Sequence, residues 1–215
     1  MESMSLRFDF GNRKNPVGRW EDSEWTRLKP RFKQVRKADI AEVKSLNQEC
    51  GEVDAFWTRE AGLPLGITTA DCVPLLFYRD DGKAIGAVHA GWEGTILRIV
   101  PKFFASLPAD LNRPHDWKVR LGSSIRACCY EFGEDLITRF QSEFPELDPK
   151  IMVPMPRHLD LVAILKHELS VLGVQIESID PQCTFCTLGE DSAPRFFSFR
   201  RGDRLSRQYS IIVRE

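Results

Sequence analysis

The chain has 215 residues, with 30 Lys or Arg against 31 Asp or Glu and a formal net charge of −1. So close a balance excludes a protein whose main work is to coat nucleic acid or an anionic membrane. An apolar fraction of 42 %, with 14 Phe and 5 Trp, supports one folded domain with a real core and excludes disorder over most of the length. No run approaches the ~20 apolar residues of a membrane-spanning helix. The opening stretch lacks the hydrophobic segment of a secretory signal, so a cytoplasmic address with reduced thiols is expected.

The first 37 residues carry ten Lys or Arg against five Asp or Glu, with interruptions at Gly11, Pro16 and Gly18. Such bias is that of a solvated face. Residues 1–32 are expected to be irregular, leading into a folded domain over 33–215. Leu65, Ile67 and Thr69 alternate as a strand. Val73 to Tyr78 and Ala84 to His89 are two apolar runs around the turn signal Asp80-Asp81-Gly82-Lys83, which predicts a hairpin of buried strands. Thr95 to Leu107 reads as helix, interrupted or restarted at Pro101. Trp117, Val119 and Leu121 alternate as a further strand. Leu136, Phe140 and Phe144 recur every four residues, predicting an amphipathic helix over 134–144 with acidic residues in its first turn. Leu161, Leu165, Leu169 and Leu172 predict another, capped by Asp160 and stopped by Gly173. Strands are expected over 174–179, 196–199 and 209–213. With no G-x-G-x-x-G turn and no phosphate loop, this order predicts a mixed α/β (α+β) single domain rather than a dinucleotide-binding fold.

Six cysteines stand at 50, 72, 128, 129, 183 and 186. Cys72, in Thr69-Ala70-Asp71-Cys72, precedes His89-Ala90-Gly91-Trp92 by seventeen residues, and the predicted hairpin brings thiol and imidazole to one end of a sheet. A Cys thiolate and a neutral His are ligands that zinc prefers. The same pair can instead form a thiolate–imidazolium nucleophile, or simply pack as a buried Cys and a strand-end His. Gly91 and Gly94 would let backbone approach a ligand closely. Cys183-x-x-Cys186 reads as a lone pair of thiols without a second pair to complete a metal site. Arg200, Arg201 and Arg207 offer bidentate contact to phosphate or carboxylate, or else an ion-pair network with acidic residues near Glu131.

Thr69-Ala70-Asp71-Cys72-Val73-Pro74-Leu75-Leu76, His89-Ala90-Gly91-Trp92, Cys128-Cys129-Tyr130-Glu131, Cys183-Thr184, Phe196-Phe197-Ser198-Phe199-Arg200-Arg201 and Arg207-Gln208 follow one another in order. This succession resembles the YfiH-like, or laccase-domain, family once described as polyphenol oxidases, over about residue 33 to the C-terminus. The resemblance implies mixed β-sheets flanked by helices in a layered sandwich. It also implies a zinc protein acting on purine nucleosides, by phosphorolysis of the glycosidic bond and by adenosine deamination. Its partners would be a purine nucleoside and phosphate, with no nucleic acid or membrane. The family's metal is held by the Cys of T-A-D-C, the His of H-A-G-W and a His in an upstream Q-V-H-G motif; the first two correspond to Cys72 and His89. Cys128 and Cys129 would be structural or line a pocket.

The third ligand does not carry over. Gln34-Val35-Arg36-Lys37 stands where Q-V-H-G is expected, and Val53-Asp54-Ala55 fits the family's A-D-A segment in the same register. A guanidinium has no lone pair for zinc. Glu93 replaces the Arg of H-A-G-W-R-G, Ser123-Ser124 alters another motif, and the N-terminal segment looks short for the family. Cys50 is a candidate replacement donor on chemistry, though its register puts it in a neighbouring loop. Three expectations follow. In the first, Cys72 and His89 hold zinc with an unidentified third donor, Asp71 or Glu93 acts as acid or base, and Arg36, Arg200 and Arg201 bind substrate. In the second, a degenerate, metal-poor member binds a ligand or partner. In the third, Arg36 and His89 stabilise a Cys72 thiolate.

Overall fold

A computed structural model describes residues 5–215. In chain order the elements are β1 (Leu6–Phe10), α1 (Asp22–Leu28), β2 (Arg31–Lys33), β3 (Ile40–Glu42), β4 (Glu49–Glu52), β5 (Ala55–Thr58), β6 (Leu65–Thr69), β7 (Val73–Arg79), β8 (Ile85–Ala90), α2 (Trp92–Ile96), α3 (Ile99–Ser106), β9 (Trp117–Leu121), α4 (Glu134–Glu143), α5 (Pro149–Met152), α6 (Leu161–Leu172), β10 (Gln175–Ile179) and β11 (Gln208–Arg214). A six-stranded mixed sheet runs β10-β9-β7-β8-β5-β3, a three-stranded antiparallel sheet runs β1-β11-β6, and β2 pairs β4. The mixed α/β domain of the sequence reading is therefore observed.

The hairpin lies where the apolar runs put it, with Val73 opposite Ala90 and Pro74 opposite His89. Every residue of β7 and β8 is buried, because two cores meet on the two faces of the pair. Val73, Leu75, Phe77, Val88 and Ala90 join the helix-side core, where Phe77 stacks on Phe103 at 5.1 Å. Leu76, Tyr78, Ile85 and Ala87 join a second core with Leu65, Ile67 and Ile212 of the three-stranded sheet. The period of two thus puts His89 on the face of Ile85 and Ala87, toward that smaller sheet.

The helix over 161–172 is also as expected. Asp160 accepts the Ala163 N–H at 2.9 Å, and Gly173 ends the helix at φ +77°. Three expectations need correction. Residues 1–32 are not irregular throughout: β1 pairs along β11, and α1 buries Trp25 against Tyr209 at 5.5 Å. The helix after Trp92 breaks not at Pro101 but at Arg98, whose φ of +58° is left-handed. Pro101 falls in the first turn of α3, where the N–H it lacks would have no helical partner. Residues 196–199 form no strand. Their backbone bonds to side chains instead: Phe197 N–H donates to Gln208 Oε1 at 2.9 Å, and Ser198 N–H to Asp203 Oδ2 at 3.0 Å. Alternating aromatics alone could not reveal that these partners were already supplied.

Candidate functional site

The end of the hairpin opens into a cavity of about 530 Å³ walled by Gln34, Arg36, Cys72, His89, Tyr130 and Arg200, among others. Asp54, immediately before β5 and fully buried, organises one wall. Its Oδ1 sits 2.9 Å from His89 Nδ1 and accepts the Arg36 N–H at 3.0 Å, while its Oδ2 accepts the Lys37 N–H at 2.7 Å. A buried carboxylate with these donors is held below its ordinary range although burial pushes it upward. It engages Nδ1 and leaves Nε2 as the ring nitrogen of His89 not held by Asp54. Burial opposes charge on that imidazole, but the Cys72 sulfur and Asp54 outweigh it, and the group is pushed up to about 9.

Cys72 lies tightly against this ring. A Cβ on Gly91 would come within 2.9 Å of Cys72 Sγ and 4.0 Å of His89 Cε1, so glycine is required here by contact rather than by backbone angle. Arg36 completes the wall from the β2 side, in a left-handed conformation at φ +59°. The fold uses its backbone N–H, through Asp54. Gln34 locks the same segment to β6 by accepting the Thr68 N–H at 2.7 Å and donating to Thr68 O at 2.8 Å.

Asp71 also faces the cavity, but both of its oxygens are engaged. Oδ1 accepts the Thr184 hydroxyl at 2.7 Å and Oδ2 the Arg200 N–H at 2.8 Å. Its φ of +98° is strained for a non-glycine residue and is held by those contacts. Arg200 projects over Tyr130 and Phe132, 5.2 Å from each ring centroid, and donates to Glu131 O at 2.8 Å. Arg201 turns away from the cavity, donating to Thr184 O at 3.1 Å, Phe185 O at 2.7 Å and Asp203 at 2.9 Å. Arg207 lines the cavity while donating to the carbonyls of Arg204 and Ser206. Glu93, in the first turn of α2, is outside the lining. Cys50, in β4 beside Gln48, is outside it as well, and burial pushes its thiol up.

Asp54 is a site residue that the motifs alone do not single out. An acid between Val53 and Ala55 at the start of a buried strand signals a paired, functional carboxylate. Tyr130, Phe132 and Phe199 form the aromatic wall, which residue type alone does not reveal because aromatic residues look alike until the fold separates core from cavity.

The donor set does not fit zinc at Cys72 and His89. Among the described residues no third His, Cys, Asp or Glu atom converges with that pair, and Arg36, at the position where the resemblance expects a His, lines the same cavity. A catalytic zinc takes three protein donors, and a cation near two donors repels a dication. Four other thiols do converge. Cys128, Cys129, Cys183 and Cys186 have all sulfurs within 4.8 Å of one another. The expectation that Cys183-x-x-Cys186 lacked a second pair is therefore corrected: Cys128 and Cys129, distant in sequence, supply it.

The sequence profile of a family described as multi-copper polyphenol oxidoreductase laccase matches residues 21–215. A purine nucleoside phosphorylase of Clostridium acetobutylicum is 31 % identical over 172 residues, 79 % of this chain and 70 % of that protein. Adenosine deaminase RL5, from an unknown prokaryotic organism, is 30 % identical over 168 residues, 76 % of this chain and 63 % of its own length. Among solved structures, YlmD of Geobacillus stearothermophilus superposes with a TM-score of 0.74 at 25 % identity, covering 99 % of this chain and 91 % of its own. The Bacillus licheniformis protein YfiH gives 0.74 at 26 % identity over 86 % and 73 %. The matched profile spans the hairpin, the Asp54–His89–Cys72 wall and the aromatic wall alike, and the chain belongs to this YfiH-like, laccase-type family.

Proposed function

We propose that the chain acts on purine nucleosides, and that its reaction is phosphorolysis of the glycosidic bond with Arg36 as the phosphate anchor. The observation that carries this reading is that Arg36 lines the same cavity as Cys72 and His89. It puts a positive charge at the position where the resemblance implies a metal-ligating His, and a guanidinium binds phosphate bidentately. The volume suits a nucleoside, and Tyr130, Phe132 and Phe199 offer aromatic faces to a purine. In the reaction a phosphate oxygen bonds to ribose C1′ as the C1′–N9 bond breaks. The bond pair leaves with the base, which takes a proton, giving ribose 1-phosphate and free purine. His89, pushed up to about 9, carries a proton at neutral pH and supplies it. Deamination needs an activated water, for which two donors beside a cation are poorly arranged.

The names of the clostridial relative and of RL5 support a purine nucleoside substrate. The test is release of base and ribose 1-phosphate from inosine and adenosine, with and without phosphate, followed by chromatography. His89→Ala protein purified in parallel controls for host enzymes. Phosphate-dependent release that falls in Arg36→Ala, through a KM for phosphate raised roughly 10- to 100-fold, is the expected result. No release under any condition overturns the proposal. The Arg36 substitution also favours a second reading, binding of the nucleoside without turnover, which calorimetric binding in the absence of product would support.

A further inference from the structure

A two-loop thiol cluster lies behind the cavity wall. After β9 the chain turns at Arg126–Cys129, with the Cys129 N–H donating to Arg126 O at 2.9 Å. A second turn at Cys183–Thr187 is closed by Thr187 N–H to Cys183 O at 3.0 Å and by Cys183 N–H to Thr187 Oγ1 at 3.1 Å. The loops are joined by a parallel bridge between Ser124 and Cys183, with Thr184 N–H donating to Ser124 O at 3.0 Å. Their four sulfurs meet within 4.8 Å, and Cys128 and Cys186 stand 3.9 Å apart. Sulfurs around a tetrahedral zinc, with Zn–S bonds of ~2.3 Å, sit about 3.8 Å from one another. A contraction of no more than about 1 Å therefore converts the cluster into a coordination shell.

The Cys183 sulfur is already dressed as a ligand. It accepts the Arg126 N–H at 3.5 Å and faces the N–H groups of Phe185 and Cys186. Backbone donors arriving two and three residues after a cysteine are what a C-x-x-C turn supplies to a bound thiolate. The Arg126 guanidinium donates to Asp180 O at the root of the second loop, and Arg201 donates to the carbonyls of Thr184 and Phe185 within it. Both cations are anchored on the carbonyls of the loop that carries Cys183 and Cys186, where the net negative charge of four thiolates on one zinc would need balancing. Free thiols at this density lack such compensation.

We propose that Cys128, Cys129, Cys183 and Cys186 bind a structural zinc ion, separate from the Cys72–His89 cavity. Four protein donors leave no open position, so the ion is closed to substrate and serves to pin the two loops. One loop carries Thr184, whose hydroxyl holds Asp71, and Asp71 in turn holds the Arg200 backbone. The ion thus fixes the cavity wall through a single chain of bonds without touching the reacting atoms.

Zinc per chain, measured by mass spectrometry on protein purified under reductant, tests the proposal in three forms: wild type, Cys72→Ala/His89→Ala and Cys128→Ser/Cys186→Ser. Cys128 and Cys186 are exposed, so serine there leaves the core intact. About one zinc in the first two and near none in the third is expected. Zinc unchanged in the third, or absent from all, overturns the proposal. Chelator-treated wild type given cobalt provides a measurement that needs no variant. Thiolate charge-transfer and tetrahedral d–d absorption should appear, and their absence overturns it.

Discussion

Replacing Arg36 by histidine should create zinc affinity at Cys72 and His89 that the natural chain lacks. The backbone at this position is set without the side chain, since Asp54 holds the Arg36 and Lys37 N–H groups and the His89 ring together. The φ of +59° is one that histidine tolerates better than most residues. Full structural zinc sites are worth ~10–16 kcal/mol over four ligands, so one added imidazole contributes about 3 kcal/mol, more than 100-fold in affinity. Removing the guanidinium adds to this by lifting its repulsion of the dication. The measurement is competition for zinc against a chromophoric chelator, in a Cys128→Ser/Cys186→Ser background so that only the cavity is read. Equal zinc affinity with and without Arg36→His would refute the argument that Arg36 alone excludes the metal. The same substitution should raise the KM for phosphate roughly 10- to 100-fold, as Arg36→Ala does.

Glu168 is buried in α6, 3.5 Å from Arg98, and burial raises its carboxyl to about 7 against that partner. Its folded pKa exceeds its unfolded one, so its contribution is complete below pH ~4.5 and lost as pH rises through 7. Urea unfolding should therefore show Glu168→Gln gaining about 3 kcal/mol on wild type between pH 4.5 and 8, and a pH-independent difference would disprove it. Gly91→Ala drives a methyl to 2.9 Å from Cys72 Sγ. Turnover should fall at least roughly tenfold, with a stability loss of about 1–3 kcal/mol by thermal melting. In Asp71→Asn an amide meets either the Thr184 hydroxyl or the Arg200 N–H as a second donor. Stability should drop by about 2 kcal/mol, with a weaker hold on nucleoside measured by calorimetry.

Much of the fold was legible along the chain. The hairpin carrying Cys72 and His89 announced itself by two apolar runs around Asp80–Lys83, and the helix over 161–172 by its Asp160 cap and Gly173 stop, because such signals act between near neighbours. The family motifs also fixed attention on Cys72, His89 and Arg36 through residue type and order alone. What escaped were relations between distant segments. β1 takes its place only by pairing with β11 some two hundred residues later. Residues 196–199 are kept from forming a strand by the side chains of Asp203 and Gln208.

The balanced charge and apolar content of 215 residues determined a single folded domain, and local periodicity determined most of its elements. Which charges matter was decided in three dimensions. Arg36 faces the cavity beside His89, whereas Arg201, adjacent in sequence to Arg200, is spent on the carbonyls of a loop. Two cysteine pairs separated by more than fifty residues become one cluster because Ser124 and Cys183 bridge their loops. A spacing along the chain cannot report a distance across it, so coordination and burial belong to the tertiary structure.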